Sequence, residues 1–337
     1  MAITSVALAS CAGAKKYPVA PTSDTVDFYF GEKIADPYRP LENDTAAETL
    51  AWVEQERALT EDYLSKIPFR GALRQRISDF NNYVKQGAPF LGADGRYYFF
   101  RNDGLKNQSV LYRSDKPVGG KEEVFLDPNS LSDDGTVALT GTSMSNDGRY
   151  MAYTISRSGS DWTEIYVLDT ETGRLLDDHI EWAKFTDAAW CKDGFFYSAY
   201  DRPVAGKEFS NANENHRIYY HKLGTPQSSD VLAFEDKEHP LHFHTAYVPE
   251  NERSLFVFVG GQGFGEGMMV KDLTRPDAKW VVMEPSQDYS NSVVDVIGDD
   301  VYILTSADAQ RNRLVKAPLS NPVRANWQTV VPEQEGV

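Results

Sequence analysis

Asp94-Gly95-Arg96-Tyr97-Tyr98-Phe99-Phe100 decides the architecture, because its pattern returns twice. The later copies are Asp147-Gly148-Arg149-Tyr150-Met151-Ala152-Tyr153 and Asp193-Gly194-Phe195-Phe196-Tyr197-Ser198-Ala199-Tyr200. Each Asp-Gly pair leads into a run of aromatic and β-branched residues. Gly, lacking a Cβ, supplies the positive φ of a tight hairpin at no steric cost. Short strands recurring roughly every 50 residues read as the blades of a β-propeller.

Working outward, strand patterns group into five blades spanning 97–126, 137–176, 188–234, 246–283 and 292–331. The clearest hairpin is Glu164–Arg174, with Thr172-Gly173 in its turn. Ahead of the blades the character is helical. Thr45-Ala46-Ala47-Glu48 matches a capping box, and apolar residues from Leu50 to Ile67 fall at helical spacing. Pro68 ends that helix, and Leu73, Ile77 and Phe80 predict a second. The fold class expected is mainly β: a propeller preceded by a helical N-terminal segment.

The 337 residues carry a formal charge of −16, with a pI near 4.8. That balance opposes nucleic acid as a partner, since Lys and Arg must neutralise phosphates. A hydrophobic content of 41% fits a folded chain. Only Cys11 and Cys191 are present, so neither a disulfide framework nor a cysteine metal set is expected. Cys191 follows Trp190 in a strand pattern and reads as a small buried hydrophobe. Leu8-Ala9-Ser10-Cys11 looks like a bacterial lipobox, although no Lys or Arg precedes it. It implies export, periplasmic or membrane-attached, with a lipid on Cys11. The alternative is a small-residue tail on a cytoplasmic protein.

Longer matches are irregular: Asp36-Pro37-Tyr38-Arg39, Asn102-Asp103-Gly104-Leu105-Lys106-Asn107-Gln108-Ser109, Leu131-Ser132-Asp133-Asp134-Gly135 and Ser156-Arg157-Ser158-Gly159-Ser160-Asp161-Trp162. From about Tyr17 to Pro332 the chain resembles the prolyl oligopeptidase family. Pro40 departs from it, where the family usually has Trp. The resemblance implies a serine endopeptidase acting on short proline-containing peptides, with a seven-bladed propeller over an α/β-hydrolase domain. On that basis residues 1–16 are an export signal and tether, 17–80 the N-terminal part of the hydrolase domain, and 81–337 about five of seven blades. The remaining blades and hydrolase half are expected beyond this sequence. A non-catalytic propeller acting as a binding module, lipid-anchored or not, is the alternative.

Serine hydrolysis on such a fold needs a Gly-x-Ser-x-Gly elbow. None occurs; Gly141-Thr142-Ser143-Met144-Ser145 comes nearest and no helix pattern follows. No catalytic residue is assigned, and no cofactor. In Glu238-His239-Pro240-Leu241-His242-Phe243-His244, His-x-His places two rings on one strand face, but no Cys or further His completes a set. A polar loop is expected there, and no metal. Gly260–Gly267 fails the dinucleotide spacing and reads as a flexible hairpin loop. The resemblance makes Phe185, and more weakly Phe243, substrate-binding aromatics. It also makes Asp161 an interdomain residue that helps fix a substrate-binding Arg outside this chain. Read without it, Phe185 is a core aromatic and Asp161 a turn residue.

Overall fold

The structure is a computed structural model describing residues 16–204, 212–261 and 263–335. Cys11 lies outside the described residues. They form two compact units, one holding residues 16–81 and one holding residues 82–203 and 212–335.

The first unit opens with the antiparallel hairpin Val26–Tyr29 and Glu32–Ala35, turned by Phe30 and Gly31 at φ 52° and 86°. Arg39 then ties Asp27 to Asp36. Helix α1 spans Ala47–Ser65 and helix α2 spans Arg70–Asn81. The capping box does not form. Asn43 takes both the backbone amide and the hydroxyl of Thr45, so the cap falls on Ala46, which offers no side-chain acceptor. A competing Asx interaction has outbid the cap.

The second unit contains five antiparallel blades, pairing in chain order. Blade four, Phe243–Tyr247, Ser254–Gly260, Gly267–Asp272 and Val281–Glu284, shows the plain pattern. Blade five repeats it with Asn291–Ile297, Asp300–Thr305, Arg313–Pro318 and Gln328–Val331. Blade one has an inner strand the sequence did not reveal, broken into Lys85–Gln86 and Phe90–Leu91 around Pro89. Pro cannot donate to a ladder, and each piece is too short to show a period. Blade two's outer strand runs Leu175–Ala183, well past its expected end. Blades two and three are joined by a single pair, Ala183 with Ala199.

The repeated Asp-Gly pairs are not equivalent. Gly95 and Gly148 take positive φ, as hairpins require. At the third copy Lys192 carries the positive φ instead. Gly194 is needed there for a different reason: a Cβ on it would lie 2.0 Å from the His221 carbonyl oxygen.

Apolar side chains collect between successive blades. Tyr98 and Leu111 meet Met151 and Ile155; Ile165 and Ile180 meet Trp190 and Phe195. Further along, Phe196 and Ile218 meet Leu255 and Val257, and Phe256 and Met268 meet Val301 and Ile303. Cys191 is buried in the third of these layers, and burial pushes its thiol up to about 11. Such a thiol is inert at neutral pH.

Antiparallel order fixes where loops emerge. The turn after each blade's second strand and the connector leaving its fourth strand come out on one face. Residues 158–162, 184–188, 236–242, 261 and 263–266 therefore share that face.

Candidate functional site

The connector from blade two to blade three is the most constrained part of that face. Trp182, next to last in the strand before it, and Phe185 within it hold φ of 60° and 52°, a left-handed backbone that bulky side chains rarely adopt. Neighbouring groups pin it. The Lys184 carbonyl accepts from His216 Nε2 at 2.9 Å, and Thr186 Oγ1 accepts from the Ser198 amide at 2.8 Å. Strain held this firmly concentrates at functional positions.

Its product is an aromatic side chain facing outward. Phe185 is 50% exposed, which excludes the core reading. Its ring centroid lies 6.2 Å from that of Phe243 and 6.4 Å from that of His216. The Phe243 ring packs against Gly260, where any Cβ would come within 2.3 Å of it.

Lys184 is the unexpected member. Its side chain is buried, with Nζ 4.9 Å from the Trp162 centroid and 5.3 Å from that of Phe185. Asp161, exposed, lies 3.6 Å from the same Nζ. A buried ammonium needs such company, and aromatic faces plus a carboxylate supply it. The structure thus links Asp161 to Phe185 through Lys184, and Phe243 joins them through its contact with Phe185.

Beneath them His216 and His244 form a rigid pair. Burial pushes His216 down to about 4, so it is neutral at physiological pH. His216 Nδ1 accepts from the His244 amide, and His244 Nδ1 donates to the His216 carbonyl. Tyr200 covers the His216 ring at 4.4 Å. Sequence reasoning passed over Lys184, Trp162, Tyr200 and His216, since their roles come from a connector and a turn meeting in space. The only local hint was a Lys between Trp182 and Phe185.

The histidine-rich stretch divides differently from the sequence pattern. His242 precedes the strand and His244 lies within it, so they do not share a face as paired ligands. His242 instead joins Asp236 and His239, one ligand atom of each lying within 4.8 Å of the others. The third member of this cluster is a carboxylate instead of a Cys or a further His. The glycine-rich segment is also not the slack loop expected. Gly265 and Glu266 donate their amides to the Gln287 and Tyr289 carbonyls, and a Cβ on Gly265 would lie 1.9 Å from the Tyr289 oxygen. These glycines permit close backbone approach. Ser143, in the nearest approach to a nucleophile motif, sits in the strand Val137–Met144 and donates to the Ala188 carbonyl. It is held as a structural hydroxyl.

These features define a β-propeller domain whose loop face presents aromatic side chains. More particularly, the chain belongs to the prolyl oligopeptidase family. Residues 18–337 match the family described as "Prolyl oligopeptidase, N-terminal beta-propeller domain". The chain is 42% identical over 320 residues to a prolyl endopeptidase of Elizabethkingia meningoseptica, covering 94% of this chain and 45% of that protein. It is 32% identical over 363 residues to prolyl oligopeptidase A of Amanita bisporigera, covering 94% and 46%. Prolyl oligopeptidase B from Galerina marginata, solved bound to a 35mer hydrolysis and macrocyclization substrate, superimposes with a TM-score of 0.77 at 28% identity. That match covers 95% of this chain and 48% of the solved one. The chain therefore spans less than half the length of the relatives it matches.

Proposed function

We propose that this chain is the propeller-bearing part of a serine endopeptidase that cleaves short peptides after proline. Residues 17–80 belong to its α/β-hydrolase domain, and the catalytic triad lies in sequence beyond these 337 residues. Phe185 and Phe243 contact the substrate on the N-terminal side of the proline. Asp161 faces the hydrolase domain and helps hold a substrate-binding Arg there. The observation that carries this reading is Phe185: half exposed, on a strained backbone, with a buried cation beneath it. The family membership and the peptide-bound relative support it.

The chain alone is expected to hydrolyse no prolyl peptide, because substrate contacts without a nucleophile have no acyl transfer to assist. The test is incubation of the purified chain with a proline-containing chromogenic peptide. Turnover that a serine-directed inhibitor blocks would overturn the assignment of the triad to missing sequence. We further propose that the protein is exported and lipid-anchored through Cys11, on the strength of Leu8-Ala9-Ser10-Cys11.

A further inference from the structure

The connector between blades three and four carries three groups that the peptidase reading does not use. Asp236 follows the strand Val231–Glu235, and His242 precedes the strand Phe243–Tyr247. His239 lies between them. Asp236 Oδ2 is 2.9 Å from His239 Nδ1 and 3.6 Å from His242 Nδ1. Adjacent ligands of a tetrahedral zinc stand about 3.3 Å apart, given metal–ligand bonds of about 2.0–2.1 Å. The two imidazole rings stack 4.6 Å apart at 8°.

His242 makes the second, independent observation. Its side chain is 7% exposed, and its Nδ1 is buried without a hydrogen-bond partner. The 3.6 Å gap to Asp236 is too long for a hydrogen bond and matches a space to be bridged. Unpaired buried nitrogen is costly, and a cation would satisfy it. The other ring nitrogen is already held: Gln287 Nε2 lies 3.2 Å from His242 Nε2. Turning that amide over places Oε1 against an Nε2–H, which fixes the tautomer with Nδ1 free to ligate. Asp236 is ready as well. Its Oδ1 accepts from the amides of Glu238 and His239 at 3.0 and 3.2 Å, which holds the carboxylate in place with Oδ2 turned to the two rings.

We propose that Asp236 Oδ2, His239 Nδ1 and His242 Nδ1 bind one divalent transition-metal cation. Two imidazoles and one carboxylate suit zinc, cobalt or nickel, and disfavour calcium or magnesium, which take all-oxygen sets. His239 is half exposed, so the fourth position opens to solvent. The cation would tie the outer edge of blade three to the strand that bears Phe243.

The test uses the untagged 337-residue chain, titrated with cobalt chloride in competition with a chelator, then with zinc chloride to displace the cobalt. The expected result is one bound equivalent, with the visible absorption of four-coordinate cobalt and a rise in melting temperature. His239→Ala and Asp236→Asn, both changes at the accessible side of the cluster, should each weaken binding by at least about 100-fold, the upper end of what losing an outer-shell partner costs. Gln287→Ala should weaken it about 10-fold. His179→Ala, altering a histidine paired with Glu164 in blade two, should leave it unchanged. Absence of stoichiometric binding by the folded chain, or binding that survives both ligand substitutions, would overturn the proposal. Neither outcome bears on the peptidase reading, which no step routes through this site.

Discussion

Replacing His221 by leucine should be among the most damaging single changes to this propeller. His221 is fully buried between two carboxylates, Asp178 at 3.0 Å and Asp230 at 2.8 Å, themselves 4% and 3% exposed. Donation from both ring nitrogens requires the imidazolium. Burial pushes the imidazole down, but Asp230 and Asp178 outweigh it and raise it above its ordinary value. His221→Leu leaves two buried carboxylates with little else: the Gly224 amide for Asp178 and the Tyr197 hydroxyl for Asp230. Removing one member of such a buried set costs about 3–5 kcal/mol. For a unit of this size each kcal/mol moves the melting temperature by about 2–4 °C, so a fall of roughly 6–20 °C is expected. Calorimetric melts of wild type and variant at neutral pH measure it. The pH dependence has a definite sign. His221 binds its proton more tightly in the folded state, so its stabilisation is complete below an unfolded value of about 6.5. It is lost as pH rises through the higher folded value, and the gap between wild type and variant should narrow on the alkaline side. A variant destabilised by less than about 1 kcal/mol, or a gap that widens above neutrality, would refute a charged His221.

The remaining predictions concern the aromatic face and the N-terminus. In an active enzyme containing this chain, Phe185→Ala should cost about 1–3 kcal/mol for peptides extending N-terminally from the proline, or about 5- to 150-fold in kcat/KM. Minimal substrates should lose much less, and equal losses for short and long peptides would remove Phe185 from the site. Cys11→Ser should abolish incorporation of labelled fatty acid when the gene is expressed in a bacterium, and unlabelled wild type would dispose of the lipobox reading.

The frame of the propeller was readable because its turns are chemical events. Gly95 and Gly148 announce themselves by their φ requirement, and the strands after them are apolar enough to show. What escaped was set by distant parts of the chain. Asp177-Asp178-His179 reads as a polar end to a strand, yet Asp178 is buried because His221, 43 residues on, neutralises it. The inner strand of blade one carries too few paired residues on either side of Pro89 to register as a pattern. The capping box failed through Asn43, whose claim on Thr45 no spacing rule includes. At the candidate site, Phe185 and Phe243 follow from the resemblance, while Lys184 beneath Phe185 is set by a turn and a connector meeting in space. Asp236 carries no sequence pattern that sets it apart, because a carboxylate in a loop is usually only solvated.

The placing of apolar layers between blades has a consequence for how substitutions here should be read. Along a single strand, Leu255 and Val257 point back toward blade three, while Phe256 between them points forward to blade five. Phe195 and Phe196 divide in the same way between blades two and four. Residues adjacent in the chain are therefore mechanically unrelated, and each answers to a partner some tens of positions away. A blade transplanted whole from a relative would bring two half-interfaces made for neighbours it had left behind. Compatible exchange runs instead along the seams: the forward-pointing set of one blade must change with the backward-pointing set of the next.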